Sequence, residues 1–284
     1  MIVITGATGE LGQHVVERLV FKVPPKEVCL AVRSVHRAER LSGYGVRIVS
    51  ADYDVPESLS AAFSGAEQVL LISSSDIGRR VSQHKNVIDA ARAVGVKHFV
   101  YTSMLHADTC TMAFADEHRQ TEQAIRASGL PFTILRNGWY AENCRIKLRV
   151  AMLRGVLLGS AGYGAQSMAT RGDYAEAAVA ALTGRTPPGR VYELAGDVAW
   201  TYADMARELS RLVDRKIDYR NVGSAEHRNI LTEAGLPTAF ADFLVDVDRA
   251  IAAGELMDDS GDLQKLISRP ATPLPRYLEA MLAT

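Results

Sequence analysis

Gly6-Ala7-Thr8-Gly9-Glu10-Leu11-Gly12, close to the start of the chain, carries glycine at every third position. That spacing suits a turn that holds a nucleotide pyrophosphate. Gly6 provides the tight bend, Gly9 lets backbone N–H groups approach the phosphates, and Gly12 lets the next helix pack closely on the preceding strand. The N-terminus of that helix favours an anion, and the Thr8 hydroxyl adds a further donor. About twenty residues on, where an NAD site usually places a carboxylate against the ribose, the chain has Arg33. A guanidinium matches a 2′-phosphate in charge and in fork geometry, so NADPH or NADP+ is the expected cofactor. Arg37 and Arg40 stand near enough in sequence to share the task. Asp52 is placed to accept from an adenine amino group and Tyr53 to lie against the ring, unless the pair caps a helix before Pro56. Ser73, Ser74 and Ser75 have side chains small enough for the backbone to pass close to the riboses, and they equally suit an ordinary loop.

These residues do chemistry only if strands and helices bring them to one edge. Apolar runs at 2–5, 28–32, 46–49, 68–72, 98–102 and 132–135 predict six strands, and helix-like periodicity follows the glycine turn over 10–21. Strands alternating with helices predict an α/β fold, a doubly wound parallel sheet of the Rossmann type, with ligands at the carboxyl ends of the strands. Residues 1–136 are expected to form this dinucleotide-binding domain. Residues 137–284 are expected to form a smaller C-terminal substrate lobe that returns in part to the main sheet. Within that half the pattern predicts helices over 174–182, 202–212 (N-capped by Thr201), 225–234 and 240–253, and a strand over 191–194.

Composition narrows the function classes. The chain has 284 residues, with 32 Lys and Arg against 33 Asp and Glu, a balance that offers no basic face for nucleic acid. Its apolar runs are strand-length and the first strand starts without a basic leader, so no membrane span is expected and a cytoplasmic location is. Cys29, Cys110 and Cys144 lack a CxxC spacing and the seven histidines lack an HxxxH pair, which argues against a metal site. Nothing in the pattern indicates an oligomeric state.

GATGELG, the serine run and NVIDAARAVGVKHFVYTS together resemble the NmrA-like atypical short-chain dehydrogenases. SSSDIGRRVSQHKNVIDAAR, YTSMLHADT, FADEHRQTE, LRNGWYAEN, ATRGDYAEAA and VYELAGDVAWT extend the resemblance over essentially the whole chain, toward members that reduce quinones with NADPH. The resemblance implies that Asn137, Gly138, Trp139, Tyr140, Ala141 and Glu142 border the nicotinamide, and that Arg171 contacts the cofactor. It places Ser103 where ordinary short-chain dehydrogenases keep a catalytic serine. Met104, Leu105 and His106 would then form one wall of the substrate site, with His106 a candidate proton donor. Asn137 is a candidate partner for an amide or a substrate oxygen, and Trp139 and Tyr140 are candidates to stack on a flat substrate, although both aromatics equally suit core packing.

Ordinary members protonate a carbonyl oxygen with a tyrosine whose pKa is lowered by a lysine four residues later. None of the ten tyrosines here has lysine at i+4, and the corresponding helix reads His118-Arg119-Gln120-Thr121-Glu122. Without that acid a simple ketone would have to form an unprotonated alkoxide. A quinone avoids the difficulty, because hydride addition yields an aromatic hydroquinone monoanion that takes its proton from water. A small quinone is therefore the expected substrate. The resemblance also allows two other readings, an NADP(H)-binding redox sensor and a triphenylmethane or azo dye reductase.

Overall fold

The computed structural model describes residues 1–283. Nearly continuous apolar runs form the central strands, because a parallel sheet covered by helices on both sides must bury both faces. The strands are β1 (Ile2–Thr5), β2 (Val28–Val32), β3 (Arg47–Ser50), β4 (Gln68–Ile72), β5 (His98–Met104) and β6 (Phe132–Asn137). In the second half come β7 (Val156–Gly159), β8 (Ala165–Gln166), β9 (Arg190–Leu194), β10 (Trp200–Thr201) and β11 (Asp218–Asn221).

Among the described residues, seven strands make one parallel sheet in the order β3-β2-β1-β4-β5-β6-β9. Alternate side chains divide the core. Ile4, Leu30, Leu70, Val100 and Leu135 face the helices Glu10–Leu19 and Arg171–Leu182. Val3, Cys29, Leu71, Phe99, Tyr101 and Ile134 face the opposite layer, where Leu59, Val87 and Ile125 come from three other helices. The order of strands reverses between β1 and β4, which opens a crevice at their carboxyl ends.

The observed elements depart from expectation mainly at their ends. β5 and β6 each run two residues further than expected, so Ser103, Met104, Arg136 and Asn137 belong to the sheet. The first helix stops at Leu19 and leaves Phe21 83% exposed, ahead of the Pro24-Pro25 pair that cannot extend a helix. Thr170 and Thr201 each start a helix with a reciprocal capping box, to Asp173 and Asp204 respectively.

Residues after 137 contribute to two cores. Tyr174, Ala178, Leu194 and Leu263 pack into the main sheet's core. A separate apolar cluster joins Leu148, Leu157, Tyr202, Leu209, Val247 and Leu278 with Met104 and Met112. Parallel pairing of β7 with β11 frames this lobe, and neither strand is apparent from periodicity. No described helix is long and apolar enough to cross a membrane.

Candidate active site

The glycine turn lies where β1 meets the first helix. Gly6 takes φ +64°, which a side chain would strain, and its carbonyl accepts the Gly9 N–H at 3.0 Å. A Cβ on Gly12 would stand 2.3 Å from the Gly6 carbonyl oxygen and 2.7 Å from Ala7 Cα. Gly12 therefore closes the helix onto the turn itself, not onto the strand as expected. Gly9 N-caps the helix and no side chain caps it, so the first-turn N–H groups face the crevice.

A cleft of about 670 Å³ starts at this turn and continues along the strand ends into the second lobe. Gly6, Thr8, Gly9, Glu10, Leu11 and Gly12 line it. Ala7 does not, being fully buried in the core beneath. Arg33 and Arg37 line the β2 end with Ser34, and both are exposed and without a partner among the described residues. Arg40 is turned away to the side-chain oxygen of Gln13.

The next group is more structural than expected. Asp52 lines the cleft, but its Oδ1 accepts the Asp54 N–H at 3.0 Å, a turn contact. Tyr53 lines the cleft as well, with its hydroxyl donating to Thr5 Oγ1 at 2.6 Å, so it ties β1 to the loop after β3. Ser74 donates to Gln83 Oε1 at 2.5 Å while its N–H goes to His84 Nε2 at 2.9 Å. Its hydroxyl proton is committed within the protein. Ser73 and Ser75 line the cleft at the same bend.

At the far end the LRNGWYAEN segment divides. Asn137, Gly138, Trp139 and Tyr140 line the cleft, whereas Ala141 and Glu142 do not. Ala141 is buried with its N–H on the Ala169 carbonyl, and Glu142 accepts the Arg171 N–H at 3.0 Å, since the chain turns into a helical segment at Ala141. Arg171 lines the cleft over the Tyr140 ring, 4.7 Å from its centroid, and pairs with Glu10 at 3.2 Å and Glu142 at 3.5 Å. A Cβ on Gly138 would meet the Tyr174 hydroxyl at 2.9 Å. Burial raises the pKa of Tyr140, so it stays a neutral phenol.

Two expected chemical groups are withdrawn from the reaction. Ser103 lines the cleft but donates its proton to Glu122 Oε1 at 2.7 Å. His106 does not line it. At φ +50° its ring turns outward, with Nδ1 3.3 Å from the Glu255 carbonyl and Nε2 3.3 Å from Asp258, so it is not placed as a proton donor.

Other residues complete the acceptor end. Trp139 lies 6.3 Å from Phe243 and Phe114 5.8 Å from Phe243, centroid to centroid, with Met104, Leu105, Met112 and Leu256 alongside. Phe243 comes from the Thr238–Ala252 helix of the second lobe, and nothing local in the sequence marks it for this wall.

The residues fit a nicotinamide dinucleotide. The glycine cradle has no room for a Cβ at Gly12, the Arg33 and Arg37 guanidinium groups at the β2 end have no partner among the described residues, and neither has the buried Asn137 Oδ1. An unsatisfied buried acceptor suits the N–H of a carboxamide.

A doubly wound sheet with a glycine cradle at its switch point and an apolar acceptor wall defines a dinucleotide-dependent oxidoreductase of the Rossmann class. A family model described as NAD(P)H-binding matches residues 6–185, and the chain belongs to that family. Quinone oxidoreductase 2 of Escherichia coli (strain K12) is 45% identical over 274 residues, 96% of each chain. A crystal structure of the Escherichia coli NADPH-dependent quinone oxidoreductase complexed with NADPH has a TM-score of 0.97 and 44% identity, covering 99% of this chain and 100% of that one. Citrobacter sp. triphenylmethane reductase complexed with NADP(H) has a TM-score of 0.95 and 36% identity, covering 99% and 100%.

Proposed function

We propose that the protein is an NADPH-dependent quinone oxidoreductase that reduces a small quinone by direct hydride transfer. One observation carries this reading: a single cleft joins the Arg33 end to the Trp139–Phe243 wall, in a chain similar throughout to quinone oxidoreductase 2. When bound, the nicotinamide ring supplies the hydride. Gly6, Thr8, Gly9 and the first-turn amides hold the pyrophosphate, and Arg33 with Arg37 holds the 2′-phosphate. Asp52, Tyr53, Ser73 and Ser75 border the adenosine half, Asn137 orients the carboxamide, and Gly138, Trp139 and Tyr140 form the wall beside it.

The acceptor lies against Trp139, Phe114 and Phe243, and these apolar walls hold a flat ring in place for hydride transfer. NADPH, quinone and one proton give NADP+ and hydroquinone. The Tyr–Lys dyad is dispensable because the product oxyanion is weakly basic. A cytoplasmic location goes with the reading.

Steady-state oxidation of NADPH and NADH with benzoquinone-type acceptors tests it, and turnover no faster than the uncatalysed background excludes it. The 36% identity to triphenylmethane reductase favours one second reading, a dye acceptor at the same wall. The ratio of kcat/KM for quinone and triphenylmethane dye decides between them.

A further inference from the structure

We propose that His118 is a catalytic residue of this reaction, donating its Nε2–H to the oxygen of the bound acceptor while remaining a neutral imidazole. The inference rests on the quinone-reductase reading and adds the group that meets the charge formed on the substrate.

His118 sits in the Ala115–Ala127 helix, 4% exposed, yet its ring borders the acceptor end of the cleft. Phe114 stands edge-on to it at 6.1 Å and is itself part of the aromatic wall. The Nδ1 atom lies 2.7 Å from the Tyr101 hydroxyl. A phenol is the stronger donor and an imidazole nitrogen the stronger acceptor, so Tyr101 donates to Nδ1. The neutral ring then carries its proton on Nε2, which has no partner among the described residues.

A second histidine supports this direction. The Ser74 N–H donates to His84 Nε2 at 2.9 Å, so His84 carries its proton on Nδ1 and donates to Thr121 Oγ1 at 3.0 Å. Thr121 passes its own proton to the Glu117 carbonyl at 2.8 Å. Thr121 therefore gives no proton to Tyr101, and the His118 Nδ1 at 2.7 Å is a close acceptor for the phenol's own proton. Burial, reinforced by the Arg80 guanidinium, holds both imidazoles neutral, with His84 brought down to about 3.

Hydride addition to one part of a quinone places negative charge on a carbonyl oxygen. A fixed N–H in an enclosed site stabilises such an oxyanion without being transferred. Ser103 cannot serve, because its proton is held by Glu122. His118 is thus the counterpart of the missing tyrosine as a hydrogen-bond donor, though not as an acid.

His118→Leu and His118→Gln are compared with wild type. The leucine variant should lose roughly 10- to 100-fold in kcat with benzoquinones. Its Kd for NADPH should stay within about twofold, and glutamine, which restores an N–H, should recover to within about fivefold of wild type. The leucine loss should shrink as quinones become more electron-poor, since their hydroquinone anions need less help. Nitrogen NMR of the free protein should show Nδ1 unprotonated and Nε2 protonated. An unchanged kcat in the leucine variant, a loss independent of the quinone, or a proton on Nδ1 each overturns the assignment of His118 alone. Absence of quinone turnover in the wild type overturns the function reading and this inference together.

Discussion

Ser103 Oγ donates to Glu122 Oε1 at 2.7 Å, and Arg136 grips the same carboxylate through Nε at 2.9 Å and Nη2 at 2.8 Å. The strand-end serine that serves chemistry in ordinary short-chain dehydrogenases is here part of a buried ion-pair network. A neutral hydroxyl bonded to a carboxylate has no proton to offer a substrate. Ser103→Ala should therefore keep kcat for quinone within about threefold of wild type and lower the unfolding free energy by about 1–2 kcal/mol. Steady-state kinetics and urea unfolding on one preparation check both parts.

Arg136 is the centre of that network, with Glu122, Glu193 and Asp108 at 2.8, 2.7 and 3.0 Å. Burial opposes its charge, but the Glu122 and Glu193 carboxylates outweigh burial and raise its pKa further. Replacing it leaves the buried Glu122 carboxylate with the Ser103 hydroxyl and a long 3.8 Å ion pair to Arg126. Arg136→Met should cost about 3–5 kcal/mol, and Glu122→Gln in the same background should recover part of that loss. Denaturant unfolding of the single and double variants measures the coupling, and additive losses would count against the network.

Cofactor choice is expected at the β2 end. Arg33 and Arg37 are exposed and unpaired among the described residues, so a charge reversal there disturbs little else. Arg33→Asp should raise the Kd for NADPH about 100-fold and that for NADH less than about threefold. Titration by nucleotide fluorescence reads the two constants. Equal losses would remove Arg33 from the 2′-phosphate site.

The buried histidines set a dependence on pH. Burial, with Arg80 adding to it, lowers the pKa of His84 to about 3 and that of His118 well below the usual 6.5. In the unfolded chain both titrate near 6.5, so below that pH the unfolded state binds more protons. Their contribution is complete above about pH 6.5 and declines as the pH falls towards 3. His84 alone should lower stability by about 2 kcal/mol between pH 7 and pH 5, and His118 should add to the loss in the same direction. Urea midpoints at the two values test this, and His84→Gln should flatten the slope.

Local pattern accounts for much of the fold and for one half of the site. The runs predicted for β1, β2 and β4 are residue for residue those of the structure, because strands buried on both faces read as nearly continuous apolar stretches. The glycine spacing and the place of Arg33 are equally local, a turn and the residue after a strand. What local pattern leaves open is the partner of each side chain. Ser74, Ser103 and Tyr53 sit where expected, but distant residues, Gln83, Glu122 and Thr5, take their hydroxyl protons. His106, next to the wall in sequence, lies outside the cleft lining because its ring bonds the Glu255 carbonyl and Asp258.

The sequence by itself determined that a parallel sheet would carry a glycine turn after its first strand and an arginine after its second, since strand periodicity and glycine spacing act within a few residues. Only the tertiary structure decided what faces the far end of the cofactor. Phe114, Trp139, Phe243 and Leu256 meet there from separate parts of the chain, and His118 has its Nδ1 engaged only because the Tyr101 hydroxyl lies 2.7 Å away. Docking of the second lobe and the pairing of buried donors with acceptors are long-range, and their energies depend on neighbours that no local window of sequence contains.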